Sequence, residues 1–373
     1  MTTKGYDAFL DCLSSEGVDY LFGNPGTTEL AIMEAVGKQS NIQYILGLQE
    51  NIVVAMADGY ARASGHLAVA NVHVAPGLGN AMGSIYNAKF FGSPILVTAG
   101  QQEQGHGLTE PMLYDPLVPI AQPLVKWAIE CTRIQDLPLI IHRAAKIALT
   151  PPMGPVFLSL PGDVLDASAE IKIGTPTRVN TQVLPNQETL NTLVKAILEA
   201  KNPAIVAGHE VASRNALDEA GDLALTMGAA VFQQTVPYSA QFKSEHPTFL
   251  GALSRNQKVC RQQLEAYDLV LFLGSDVLRM SVFSEVDPLP SHIRIMQIGE
   301  RDWELGKNYP TEFAIRANVK ETAPALNNAL RSMMNANYHS SATERVADIK
   351  RRNWSANREK ESSKHNHLTI LSP

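Results

Sequence analysis

Cysteine is scarce, with three residues in 373, at positions 12, 131 and 260. The odd number and wide spacing fit neither a disulfide framework nor a CxxC metal site. Charge is sparse as well, at 18% of residues with a net charge of -6. No long basic run offsets that acidity, which argues against a nucleic-acid partner. Long apolar runs are also missing. No segment reaches about 18 uninterrupted apolar residues, so no membrane span is expected. The opening "MTTKGYDAFLDCLSSEGVDYLF" (1–22) has no long apolar core, so no signal peptide is expected and a reducing cytoplasm is the default. What the chain does have is apolar material, 45% of residues, enough to bury the cores of two or three domains.

That material is arranged in alternation. "VDYLFG", "IQYILGL", "LAVANVHV" and "SPILVTAG" read as short apolar strands. Between them lie helical patterns: "YDAFLDCLSSEG", "TTELAIMEAVG" with a Thr cap, and the stretches 51–63 and 79–91. "GPVFLSLPGDV" reads as the last element of this unit. Such alternation implies an open parallel sheet with helices on both faces. A stretch rich in Pro, Thr and Asn then reads as a linker. After it the alternation restarts, with strands at "PAIVAGHEV", "AAVFQQT", "YDLVLFLGSD" and "IRIMQIG". The expected fold class is therefore α/β, as two successive three-layer α/β domains with mainly parallel sheets. The expected boundaries are 1–175, a linker at 176–188, 189–335, and a charged helix or tail at 336–373.

Ligands of such sheets bind where loops leave the carboxyl ends of strands. Three stretches hold that place: "GNPGTTE" (23–29), Glu50, and "HVAPGLGNAMG" (73–83). Each has two readings. Glu50 suits the first turn of a helix, where it would cap free N–H groups and meet the macrodipole. It also suits a buried acid that shares a proton. Asn24-Pro25-Gly26 is either a tight turn or a ligand loop. His73 is either a satisfied core residue or a catalyst. Gly77, Gly79 and Gly83 form a GxGxxxG pattern that could cradle a pyrophosphate, with Glu103 about 20 residues further on as a ribose acid. That pattern follows the third strand and departs from GxGxxG.

Taken in register, "FGNPGTTEL", "LGLQENIVVAMADGYARASG", "HVAPGLGNAMGSIYNA", "SPILVTAGQQ", "PLVKWA" and "GPVFLSLPGDV" resemble one known family. It is the thiamine-diphosphate-dependent 2-oxo acid decarboxylases and synthases. These segments are similar to its pyrimidine-binding domain. "NPAIVAGHEV" and "DLVLFLGSDV" are similar to its Rossmann-like central domain. The resemblance covers most of residues 5–330 and is strongest to benzoylformate decarboxylase-like members, then to the acetolactate synthase group.

The resemblance implies a role for each matched residue. Glu50 would hydrogen-bond the aminopyrimidine and promote activation of the thiazolium carbon. Asn24, Pro25, Gly26, Gly77 and Asn80 would line the cofactor. His73 would relay protons near the substrate carbonyl, and Thr27 stands where relatives carry a serine that contacts the substrate carboxylate. Ser281, in "GSDVLRMSVFSEVDPLP" (274–290), stands where benzoylformate decarboxylase-like members carry a second histidine. A serine cannot titrate near neutral pH as imidazole does, so a 2-oxo acid other than benzoylformate is expected.

The family also binds the diphosphate and Mg²⁺ through a third domain, with a Gly-Asp-Gly stretch and a downstream Asn. Gly162-Asp163 and Gly221-Asp222 lack the following glycine, and Asn327-Asn328 has no such partner upstream. "HLTILSP" (367–373) resembles the opening of that domain. The expectation is thus a chain that holds the pyrimidine end of thiamine diphosphate, with no metal ligands of its own. Mg²⁺ would enter only through the missing domain. Homodimers, homotetramers or a separate chain supplying that domain would be the partners. An acetolactate synthase-like carboligase, a non-catalytic partner subunit and a dinucleotide-binding oxidoreductase remain as alternatives.

Overall fold

The computed structural model describes residues 2–38, 41–236 and 239–364. They form two units that divide between Thr181 and Gln182. The terminal "HLTILSP" lies outside the described residues.

The first unit runs β1 (Thr2–Lys4), α1 (Gly5–Ser15), β2 (Tyr20–Gly23), α2 (Leu30–Lys38), β3 (Gln43–Leu46), α3 (Glu50–Ser64), β4 (Ala68–Val72), α4 (Val74–Phe91) and β5 (Ile95–Gln101). It continues through α5 (Leu117–Ala121), β6 (Ala128–Glu130), α6 (Leu137–Leu149), β7 (Val156–Pro161), α7 (Gly162–Asp166) and β8 (Ser168–Glu170). Six strands form a sheet in the order β3-β2-β4-β5-β7-β6, every pair parallel. β1 and β8 pair antiparallel beside it.

The central strands are buried along their whole length, so they read as continuous apolar runs. Period two still sorts their side chains. Val69, Leu96 and Leu158 pack with Phe9, Leu13, Ile32 and Ile141 on one face. Ala70, Val97 and Phe157 pack with Val53, Ala57, Leu78 and Ile85 on the other. The result is three layers, α1, α2 and α6 on one side and α3 and α4 on the other. Each large apolar side chain so buried contributes about 1.5–3 kcal/mol.

The second unit runs α8 (Gln187–Glu199), β9 (Pro203–Ala207), α9 (His209–Ser213), α10 (Leu217–Met227), β10 (Ala230–Gln233), β11 (Phe249–Ala252), α11 (Gln257–Leu264) and β12 (Leu269–Leu273). Then come β13 (Arg294–Gly299), β14 (Phe313–Arg316), α12 (Val319–Met333), α13 (Ala336–Arg351) and α14 (Trp354–Lys364). Its strands, all parallel, lie in the order β11-β10-β9-β12-β13-β14. This is the doubly wound order, which reverses direction between β9 and β12. Leu269, Leu271 and Leu273 face one core, and Val270 and Phe272 the other. Both units are therefore three-layered α/β structures, as the alternation of the sequence implied.

Four local expectations change. α4 begins at Val74, directly after β4, rather than at residue 79. Pro76 and Gly77 fall in its first turn, where a proline's missing N–H is not needed. The Thr cap at 27 is replaced by Gly26, which precedes a single 3₁₀ turn, Thr27–Glu29, ahead of α2. The linker is shorter than 176–188, because Asn186 caps α8 by accepting the Thr189 N–H at 2.8 Å. The described part of the charged stretch after 335 forms two helices, and α13 buries Tyr338, Ala342 and Ile349 in the cores of its own unit.

Candidate active site

In the first sheet the strand order reverses between β2 and β4, the kind of switch point at whose carboxyl ends open α/β sheets bind their ligands. Asn24 follows β2 and His73 follows β4, and the Asn24 N–H bonds the Asn71 carbonyl at 3.2 Å. Glu50 follows β3 at the first position of α3. Around this point the structure gathers two groups of side chains.

The first group centres on Glu50. It does not cap its helix. The Gln49 side chain does, accepting the N–H groups of Asn51 at 2.8 Å and Ile52 at 3.3 Å. At the far end Gly65, at φ 73°, closes the helix and returns its N–H to Ala61. The carboxylate of Glu50, 7% exposed, turns instead to side chains from two other elements. Asn24 donates to Oε1 at 3.1 Å, and Asn80 on α4 donates to Oε2 at 3.0 Å. Gly77 lies against the same carboxylate, and a Cβ there would come 3.1 Å from Oε1.

The second group centres on Glu29, which is fully buried. Its Oε2 accepts the Gly26 N–H at 2.9 Å and lies 2.7 Å from His73 Nδ1. Its Oε1 accepts the Gly100 N–H at 2.8 Å and the Thr28 hydroxyl at 2.8 Å. Thr28 Oγ1 is also 3.2 Å from His73 Nδ1. The His73 ring lies over Gly26, where a Cβ would sit 2.3 Å from ring atoms. Directly after His73, Val74 holds φ 38°. A β-branched residue in the left-handed region stores about 1–3 kcal/mol of strain, and such residues cluster at active sites. Tyr44 packs on Gly23 nearby, and burial together with the charge of Glu29 pushes its hydroxyl pKa up.

Of the residues singled out in the sequence, Asn24, Glu50, Gly77 and Asn80 thus come into contact, and so do Gly26 and His73. Pro25 joins the two groups along the chain. Thr27 is exposed, and it is the neighbouring Thr28 that touches His73. Ser281 is exposed in the second unit, in the segment between β12 and β13. Gly77, Gly79 and Gly83 are helical, with the Gly77 N–H bonded to the His73 carbonyl at 2.8 Å. They form no phosphate-cradling loop, and Glu103 is exposed after β5.

Glu29 is the residue that sequence reasoning missed. Its spacing from Gly26 is that of a capping box, and its bond to the Gly26 N–H has that form. Its bonds to Gly100 and His73 cross about 71 and 44 residues and leave no local signal.

The second unit has its own switch point, between β9 and β12. Glu210 fills it, with Oε2 accepting the Glu300 N–H at 2.8 Å. Gly274 and Gly299 lie against it, and a Cβ on Gly299 would come 3.1 Å from Oε2. Burial, then the charge of Glu300, pushes the Glu210 carboxyl up to about 7. The chain's own acid thus occupies the place where a dinucleotide fold seats its phosphates.

Among the described residues, no three His, Cys, Asp or Glu side chains are grouped to hold a metal ion. No described helix is long and apolar enough to cross a membrane.

Comparison with known proteins bears on both units. Residues 3–113 match the model of the thiamine pyrophosphate enzyme N-terminal TPP-binding domain, and residues 190–326 that of the thiamine pyrophosphate enzyme central domain. The benzoylformate decarboxylase of Pseudomonas aeruginosa is 34% identical over 79% of this chain and 56% of its own length. The acetolactate synthase large subunit of Haemophilus influenzae is 25% identical over 85% of this chain and 56% of its own length. The chain therefore spans about half the length of these curated relatives. Among solved structures, the thiamine diphosphate-dependent 4-hydroxybenzoylformate decarboxylase of Rhodococcus jostii superposes with a TM-score of 0.81 at 32% identity, covering 87% of this chain and 62% of that one.

Proposed function

We propose, since this chain belongs to the thiamine pyrophosphate enzyme family, that its first unit takes the pyrimidine end of thiamine diphosphate, with Glu50 as the acid partner of the ring. The observation that carries this reading is the release of Glu50 from helix capping. Gln49 satisfies the helix N–H groups, and the Asn24 and Asn80 amides hold both Glu50 oxygens from outside the helix. The group fits the residues present. An aminopyrimidine needs an acid at one ring nitrogen, and the missing Cβ of Gly77 lets α4 pass close to the Glu50 carboxylate without displacing it. Asn24 and Asn80 then limit the carboxylate's rotation, so that one oxygen can hold a proton at the ring nitrogen and return it.

Bound thiamine diphosphate supplies an electron sink for cleaving the bond between a carbonyl carbon and a carboxylate. The substrate of the whole enzyme is on this reading a 2-oxo acid, decarboxylated in the manner of benzoylformate decarboxylase. On the same reading His73 exchanges a proton with it, and the Thr27 hydroxyl meets its carboxylate. Ser281 bears on which acid is accepted, and Ser281→His should favour benzoylformate. The match to an acetolactate synthase large subunit supports a second reading, a carboligase using the same residues. The partners of the Glu50 carboxylate are amides, and among the described residues no group of side chains is set to hold a metal ion. We assign the diphosphate and Mg²⁺ to other residues of the assembled enzyme.

Titration calorimetry on the 373-residue chain tests the assignment. Weak binding of thiamine diphosphate that ignores Mg²⁺ and is lost in Glu50→Gln is the expected result. Tight, Mg²⁺-dependent binding that Glu50→Gln leaves intact would overturn it.

A further inference from the structure

The four contacts of Glu29 determine where the proton sits on His73. A carboxylate can only accept, and the Gly26 N–H, the Gly100 N–H and the Thr28 hydroxyl all donate to it. Having given its hydrogen to Glu29, Thr28 Oγ1 can only accept from the imidazole. Both neighbours of His73 Nδ1, at 2.7 Å and 3.2 Å, are therefore acceptors. Nδ1 must carry the hydrogen. No described residue bonds Nε2, while the side chain is 21% exposed. The backbone reinforces the arrangement, since Gly26 alone leaves room for the ring and the strained Val74 follows it.

We propose that Glu29 is a positioning residue. It holds the His73 ring with its proton on Nδ1, so that Nε2 is the basic nitrogen offered to whatever binds beside it. The inference rests on the reading of His73 as an active-site residue, and it adds which nitrogen acts and what selects it. A carboxylate that fixes a tautomer in this way also stabilises the imidazolium that forms when Nε2 takes up a proton.

Glu29→Gln keeps the shape and removes one acceptor oxygen. If the new amide nitrogen faces His73, it donates toward Nδ1. If it faces Thr28, the hydroxyl is released and can donate to Nδ1 instead. In the second orientation a neutral amide oxygen still faces Nδ1, but without the charge and beside a competing Thr28 hydroxyl, so in both orientations the preference for Nδ1–H falls.

The experiment is a long-range ¹H–¹⁵N correlation spectrum of the labelled chain, recorded without cofactor above the titration of its histidines. His73 is assigned from the signal that disappears in His73→Gln. In the native chain, Nδ1–H should dominate by about tenfold, the ratio set by one charge-assisted hydrogen bond. Glu29→Gln should lower or reverse that ratio, and Thr28→Val should keep Nδ1–H. A native His73 carrying its proton on Nε2 overturns the proposal, even if Glu29→Gln fails to fold. An unchanged ratio in a folded Glu29→Gln overturns it as well. Because no cofactor is present, either failure leaves the calorimetric test of Glu50 untouched.

Discussion

Gln49 caps α3 and Glu50 does not, although the two are adjacent and both carry the oxygen a cap requires. The division is geometric. Gln49 is extended, at φ -164° and ψ 139°, so its side chain folds back over the helix end. Glu50 is already helical, and its side chain meets Asn24 and Asn80 instead.

Replacing Glu50 by Gln should leave the fold intact and remove the proton function. In the assembled enzyme, C2-proton exchange of bound thiamine diphosphate should slow by about 10²-fold or more. NMR of the quenched cofactor gives the rate, and circular dichroism checks the fold. Native exchange in the variant would remove Glu50 from the mechanism.

Gln49→Ala deprives two helix N–H groups of their acceptor. The expected loss is about 0.5–2 kcal/mol, the usual range for an N-cap. It should appear as a lower urea midpoint with an unchanged slope. A smaller loss, together with weakened cofactor binding, would mean that Glu50 had turned to cap the helix.

Gly26→Ala and Gly77→Ala should differ in severity. The added carbon would lie 2.3 Å from the His73 ring in the first and 3.1 Å from Glu50 Oε1 in the second. The ring is packed and must move, at about 1–3 kcal/mol. The Glu50 carboxylate can give by a few tenths of an ångström. Denaturation of both variants, with the His73 NMR signals followed in parallel, distinguishes them. Equal losses would contradict the close packing of His73 on Gly26.

Glu210 should make stability fall as pH rises. Burial, then Glu300, raises its folded pKa to about 7 from the ordinary glutamate value of 4.5, against the opposing effects of the Glu300 N–H, Arg301 and Arg214. Between those values the folded chain binds more protons than the unfolded one. Its contribution is therefore complete below 4.5 and lost progressively toward pH 7, amounting to about 3 kcal/mol. Glu210→Gln should flatten this part of the profile and be the more stable protein at pH 8. Parallel urea midpoints for both proteins from pH 4.5 to 8 would show that the group does not titrate in this window.

Much of the fold was legible in one dimension. Strand-length apolar runs separated by helix-period stretches specify a parallel α/β sheet, because only helices on both faces can bury strands such as β4 and β12 completely. The motifs around Asn24, Glu50 and His73 marked three strand ends, and with them the family. Tertiary structure decided what each side chain does there. Whether the Glu50 carboxylate caps its helix or turns away from it depended on Asn24 and Asn80, which reach it from β2's end and from α4. The start of α4 depended on how directly β4 hands over to it, which moved Gly77 from a supposed loop into a helix turn against Glu50. Glu29 was missed because local spacing records only its nearest bond, to the Gly26 N–H. Its partners Gly100 and His73 are brought to it by β5 and β4, and a hydrogen bond between distant strand ends leaves no periodicity in the sequence.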